Sequence, residues 1–237
     1  MADLSKATDS AFDYIDASSA EIQAIAEETM REVEKKILAG VEAGRTKRVI
    51  LAEVTLYVRN QSRRMRSLIE SSFDDVIKLT KNNMIEEFEN KLTTAELSAM
   101  AENKLAVLDN ITANDLKLQA DLRSMLLQNL GQTITVVQAV QSLENLYPSY
   151  ASNIGTIVNT SLIRMYKDAE WSVEGGLFEY FEYVGPLDSV TRPYCRDHVG
   201  KVYTKAEAEK IQAEIQTFYN CRHKLAGITE ADYKKAS

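Results

Sequence analysis

Apolar residues return every three or four positions along most of the chain, and this rhythm predicts helices. Ile22, Ile25, Ala26, Val33, Ile37 and Val41 would line one face of a first helix, with Gly40 and Gly44 marking its end or a kink. A second stretch runs from about Thr46 to Phe88. Its apolar side is Val49, Ala52, Leu56, Leu68, Ile69, Phe73, Val76, Ile77, Ile85 and Phe88, and its middle, Asn60 to Arg66, is strongly polar. A continuous helix of that length would measure about 60 Å, so a break near Asn60 or an elongated shape is expected. Thr93 and Glu96 have the spacing of a capping box and start a third helix through Leu97, Met100, Ala101, Leu105 and Leu108. Thr112 is read as the start of another, with Leu116, Leu122, Met125 and Leu126 on its buried side. After Gly131, the segment Ile134 to Leu146 is a further candidate, although its β-branched run from Thr133 to Val137 leaves helix and strand open. Tyr147–Pro148–Ser149 reads as a boundary, and Ile154, Ile157, Val158, Leu162 and Met165 as one more helix. No proline precedes Pro148, so nothing earlier removes a helical donor or clashes with a preceding turn.

The rhythm changes after Trp171, itself read as a core or docking aromatic rather than a cofactor platform. Gly175 and Gly176 read as a turn. Leu177 to Val184 is dense in aromatics and predicts a strand, with Phe178, Tyr180 and Val184 on one face and Leu177, Phe181 and Tyr183 on the other. Lys201–Val202–Tyr203 is a candidate partner strand. Thr204 and Glu207 repeat the capping-box spacing and start a helix through about Phe218, which Asn220 can terminate. The expected fold is mainly α: an elongated helical region followed by a small α+β module. Residues 1–110 form a long-helix region suited to docking a partner or subunit, 111–170 a second helical part, and 171–237 the module.

Composition narrows the class. The 237 residues are 45% hydrophobic and 27% charged, which suits a folded chain rather than a disordered one. A net charge of −7 argues against general coating of nucleic acid. No apolar run approaches the roughly 20 residues that span a bilayer. Met1 to Asp16 lacks a basic-then-apolar leader pattern, so a cytoplasmic site of synthesis is expected.

Cysteine and histidine change the picture most. There are two of each, and all four fall in the pattern Cys195-x2-His198, 22 intervening residues, Cys221-x-His223. Two thiolates and two imidazoles suit a closed tetrahedral structural Zn2+ site, which would staple a module too small to fill a core. Three alternatives stay open: a Cys195–Cys221 disulfide, packed residues without metal, and a thiol activated by histidine. No orienting acid, oxyanion hole, phosphate-cradling glycine loop or HExxH pattern accompanies them. A second feature is basic: Arg45, Lys47, Arg48, Arg59, Arg63, Arg64 and Arg66 stand against the single acid Glu53. They could hold DNA phosphates or an acidic partner, form an ordinary solvated face, or complement Asp9, Asp13, Asp16, Glu21, Glu27 and Glu28 of the first helix.

The run from Tyr183 through Gly185–Pro186–Leu187–Asp188–Ser189–Val190–Thr191–Arg192–Pro193–Tyr194–Cys195–Arg196–Asp197–His198–Val199–Gly200 to Tyr203, followed by Asn220–Cys221–Arg222–His223, resembles the signature of the phage Mu F-like head morphogenesis proteins, also called minor head or minor capsid proteins. The helix Asn159 to Tyr166 lies where that family places a threonine-containing helix. The resemblance covers roughly Thr112 to His223, so the 111–170 segment becomes the helical part of the shared region. The family's Asp-x-x-Thr-Arg motif matches Asp188, Thr191 and Arg192, its Gly-Lys matches Gly200 and Lys201, and its Asn-Cys-Arg matches Asn220, Cys221 and Arg222. Where many relatives end that last element in another cysteine or a different residue, this chain has His223.

The resemblance implies a tailed-bacteriophage virion protein, present in multiple copies at the head and portal. Portal, capsid or neck proteins would be its partners, head assembly and genome packaging or ejection its role. Some larger relatives carry toxin or ADP-ribosyltransferase domains after the shared module, and with Ser237 so close behind it none is expected here. A non-enzymatic role is therefore expected. Contact with packaged DNA through residues 45–66 is the alternative, and a thiol or metal-dependent hydrolase a more distant one.

Overall fold

A computed structural model describes residues 4–88, 92–127 and 136–236. Among them are seven helices and three strands: α1 (Leu4–Glu42), α2 (Lys47–Phe88), α3 (Thr94–Leu127), α4 (Val136–Leu177), β1 (Tyr180–Val184), α5 (Pro193–His198), β2 (Val202–Thr204), α6 (Lys205–Ile215), β3 (Lys224–Ile228) and α7 (Glu230–Ala236). The fold is mainly α, with one small three-stranded antiparallel sheet. No helix among the described residues is long and apolar enough to cross a membrane. Gly131 and Thr133 to Thr135 lie outside the described residues, as do the side chains of Asp9, Ile85 and Phe88.

The chain divides into two compact units, and the four long helices contribute to both. One comprises Asp16–Phe73 and Lys104–Val158. The apolar rhythm of α1 is part of its core: Ile22, Ile25, Val33 and Ile37 are buried. In α2 the buried face is Val54, Val58, Met65 and Ile69. Val49 and Leu56, read as its apolar side, are exposed because the helix turns Val54 and Val58 inward in their place, and Leu116 of α3, read as buried, is exposed as well. Val107, Leu118, Leu122 and Leu126 of α3, with Leu143, Ile154 and Val158 of α4, complete it. Polar contacts tie adjacent segments: Arg64 to Glu28 at 3.8 Å, Arg59 Nε to Gln119 at 3.4 Å, and Tyr150 Oη to Asp115 at 2.6 Å. Gln23 of α1 lies against Gly155 of α4 and closes the ring of four.

The turn between α1 and α2 follows from its residues. Gly44 adopts φ 65°, the left-handed conformation that a Cβ penalises. It lets the Arg45 N–H reach Gly40 O at 2.9 Å and the Gly44 N–H reach Val41 O at 3.0 Å, which is the Schellman pattern.

Three predicted interruptions are absent. α2 runs unbroken past Asn60, because Val58 and Met65 bury either side of the polar stretch. Thr112 does not begin a helix: its hydroxyl donates to Leu108 O at 2.8 Å inside α3. α4 runs through Pro148, although proline inside a helix costs ~3 kcal/mol. Leu143, Tyr150 and Ala151 are buried on its two sides, and together they offset that cost.

The other unit comprises Met1–Ile15, Asp74–Asn103 and Asn159–Ser237. Phe12 meets Tyr166 edge-on at 5.6 Å, Tyr14 donates to Asp75 at 2.9 Å, and Asn83 donates to Tyr166 Oη at 3.2 Å. The Thr93–Glu96 capping box forms as predicted, with bonds of 2.5 and 3.2 Å. Gly175 and Gly176 belong to the last turn of α4 rather than to a loop, so the strand starts three residues later than Leu177.

The sheet order is β2-β1-β3, with Phe181 opposite Tyr203 on one side and Gly227 on the other. Phe181 and Tyr183 face the core with Ala208, Ile211, Ile215 and Leu225, while the other face of β1 is half-buried. Trp171 packs on Phe181 at 4.8 Å, a core aromatic as expected. The Thr204–Glu207 capping box opens α6, which ends at Ile215 rather than Phe218. Asn220 does take a left-handed φ of 53°, five residues beyond that end.

Candidate metal centre

Two local structures bring the cysteines together. Pro193 stands at the start of α5, where its missing N–H costs nothing, and the first turn carries Cys195 inward to 1% exposure. On the other side, left-handed Asn220 sends the chain into an extended run before β3. Residues two apart in extended chain point the same way, so Cys221 and His223 share the inner face, at 3% and 5% exposure.

The ligand atoms of Cys195, Cys221 and His223 lie within 4.8 Å of one another and could hold a metal ion. The two sulfurs are 4.0 Å apart, and Cys221 Sγ is 3.9 Å from His223 Nδ1. Two thiolates on one tetrahedral Zn2+, each at about 2.3 Å, would stand about 3.8 Å apart, and a thiolate and an imidazole nitrogen about 3.6 Å. Those two separations fit such an ion to within a few tenths of an ångström, and the widest in the group, up to 4.8 Å, would have to close by about 1 Å on binding. A disulfide needs about 2.05 Å, and both cysteines are free thiols here. His223 Nε2 is also buried without a hydrogen-bond partner, an unusual state for a ring nitrogen packed against protein.

His198 is not brought into this group. It ends α5, its ring is stacked on Tyr194 at 4.1 Å, and its Nδ1 is 2.7 Å from Tyr194 O. The helical turn that buries Cys195 commits His198 to its own i−4 carbonyl. The expected closed four-ligand set is thus a set of three, and coordination number no longer argues against hydrolytic chemistry. Burial argues against it instead, because all three donors are at most 5% exposed.

The electrostatics come from residues that spacing did not single out. Lys167 of α4 is 2% exposed and donates to Cys221 O at 3.1 Å; burial pushes its pKa down. Burial also pushes the Cys221 thiol up, but the hydrogen bond from His223 and the Lys167 charge outweigh it and hold the thiol at about 7. Cys195 goes the other way, raised chiefly by burial although Tyr183 Oη donates to its sulfur at 3.3 Å. The thiolate is the form that ligates a metal, so Cys221 is the better prepared of the two. A lysine in a buried helical position between Tyr166 and Ala169 was the available signal for Lys167.

The motif residues brace this centre. Asp188 Oδ1 accepts the Val190 N–H at 3.1 Å and the Thr191 hydroxyl at 2.8 Å, while its other oxygen pairs with Arg222. Arg196 reaches back to Thr191 O at 3.1 Å, and Arg192 donates to Tyr219 O at 2.7 Å. Thr160 of α4 donates to Asn220 Oδ1 at 3.0 Å and accepts the Asn220 N–H at 3.1 Å. Gly200 and Lys201 hold the Tyr183 backbone through two bonds of 2.9 Å. Gly185, at φ 154°, lies so close to His223 that an added Cβ would be 2.5 Å from its Cδ2.

The basic segment is less uniform than its sequence. Arg45, Arg64 and Arg66 pair with Glu53, Glu28 and Glu70. Arg59 binds Gln119, Lys47 has interactions of its own, and Arg48 and Arg63 have no acid partner among the described residues. Comparison of the chain with family models, curated proteins and solved structures finds no match.

Proposed function

We propose that the chain is a structural, non-enzymatic virion protein of a tailed bacteriophage, a minor head component near the portal that acts in head assembly and genome packaging or ejection. The observation that carries this reading is the convergence of the resembling residues. Asp188, Thr191, Arg192, Asn220 and Arg222 are spread over more than thirty positions, yet all brace the two strands of chain that present Cys195, Cys221 and His223. A motif whose members hold a fold together serves assembly rather than turnover. Bound Zn2+ would supply a cross-link between α5 and the start of β3, with Cys195, Cys221 and His223 as its holders.

The role predicts that deleting the gene from the parent phage abolishes normal heads, and that the protein copurifies with heads in multiple copies. Infectious particles formed at normal yield without it would overturn the reading. DNA contact through residues 45–66 is weaker than the sequence suggested, since three of its seven cations are neutralised within the chain.

A further inference from the structure

We propose that the groove between α2 and α3 is a docking site for an acidic amphipathic helix of a partner protein. The groove has a volume of about 960 Å³, and Leu51, Leu56 and Leu127 line it together with Arg48, Arg59 and Arg123. None of the three arginines has an acid partner among the described residues, although elsewhere on α2 Arg64 and Arg66 do. Leu56 is 62% exposed, and Leu116, three residues before Gln119 on α3, is 61% exposed. Exposed leucine surface is costly to leave in water, and beside guanidinium groups with no acid partner it suits a ligand that supplies both apolar and anionic cover.

Size and charge select the occupant. Three turns of helix, about 16 Å long and 10 Å across, occupy about 1,300 Å³, so such a segment would fill the groove and keep its outer face in solvent. Arg48 and Arg59 are separated along α2 by about 16 Å, so acids near both ends of a three-turn segment would meet them. Leucines at i, i+3 or i+4, and i+7 would cover the leucines of the groove. Duplex DNA fits worse: its phosphates would answer the arginines and leave the leucines uncovered. This inference stands apart from the virion role, which particle assembly tests.

The test uses the full chain and a fluorescein-labelled 18-residue peptide of leucine at helical spacing and glutamate elsewhere, read by anisotropy. Controls are a scrambled peptide of equal composition, a lysine-for-glutamate version, and a 20-base-pair duplex. The amphipathic acidic peptide is expected to bind at least tenfold tighter than either control peptide. Combining Arg48→Glu, Arg59→Glu and Arg123→Glu should weaken it at least tenfold, and Leu56→Gln at least threefold, with helical circular dichroism unchanged. Leu56→Gln is exposed and serves if the triple variant fails to fold. Equal binding of the scrambled peptide, indifference to both variants, or duplex binding that displaces the peptide and needs the same arginines would each overturn the proposal.

Discussion

Asn220 offers a sharp test of how the metal centre is held. It combines a left-handed φ of 53° with a reciprocal pair of hydrogen bonds to Thr160, and Cys221 follows it directly. Asn220→Ala would lose the side-chain bond, worth about 1 kcal/mol, and force an ordinary Cβ residue into a conformation that costs about 1 kcal/mol more than it costs asparagine. The total is about 2 kcal/mol. Asn220→Gly loses the same bond but relieves the backbone, so its cost should be only about 1 kcal/mol. Trp171 is the single tryptophan and packs on Phe181, so its fluorescence during urea unfolding reports on this unit. With a slope of about 2 kcal/mol per molar, the midpoint should fall by about 1 M urea in the alanine variant and half that in the glycine variant. Thr160→Val added to Asn220→Gly should cost less than the sum, because both remove one interaction. Equal losses for alanine and glycine, or strict additivity with Thr160→Val, would refute the account of Asn220 as a left-handed brace.

Four further expectations follow from the same geometry. A freshly reduced, chelator-free preparation should carry about one metal ion per chain by mass spectrometry; Cys221→Ser and His223→Ala should lose it, and His198→Ala should retain most of it. Gly185→Ala should displace the His223 ring and lower metal retention at least tenfold in a chelator competition, while leaving helical circular dichroism unchanged. Lys224 pairs with the buried Glu170 at 2.8 Å, so Lys224→Met should destabilise by about 3 kcal/mol, whereas breaking the exposed Lys235–Asp232 pair by Lys235→Met should cost close to nothing in the same denaturation assay. Burial raises the pKa of Asp115 despite its hydrogen bonds from Tyr150 and Ser62. The folded state therefore holds that proton more tightly than the unfolded one, and this stability is present below the ordinary carboxylate pKa and lost as pH rises through the folded value. Asp115→Asn should raise the melting temperature at pH 7, and the gain should shrink as pH falls toward about 4; a gain that grows on acidification would contradict this sign.

The long helices were legible because a buried face leaves a period in the sequence. Breaks were read less well, since they depend on what the helix packs against. Pro148 and Thr112 carry local signals for a boundary, yet buried Leu143 and Tyr150, and the buried Asp115–Tyr150 bond, hold the chain helical on both sides of the proline. β3 was missed for a related reason. Lys224–Leu225–Ala226–Gly227–Ile228 has one fully buried residue and a glycine, and little intrinsic strand preference. It is a strand because five residues of β1 pair with it across 40 to 48 positions of chain.

The centre divides along the same line. Spacing identified Cys195, Cys221 and His223 because four rare residues crowded into 29 positions have few innocent explanations. Spacing also implied His198, and there local structure prevailed: the helical turn after Pro193 points its Nδ1 at Tyr194 O. What no spacing could supply is the asymmetry between the sulfurs. Burial raises both thiols, and only Cys221 has His223 beside it and the Lys167 ammonium on its carbonyl. Lys167 is 54 residues away in sequence. Which cysteine is ready as a thiolate is thus set first by His223 and then by a lysine of α4, and a sequence pattern can name the ligands of such a site without naming all of the charge that prepares them.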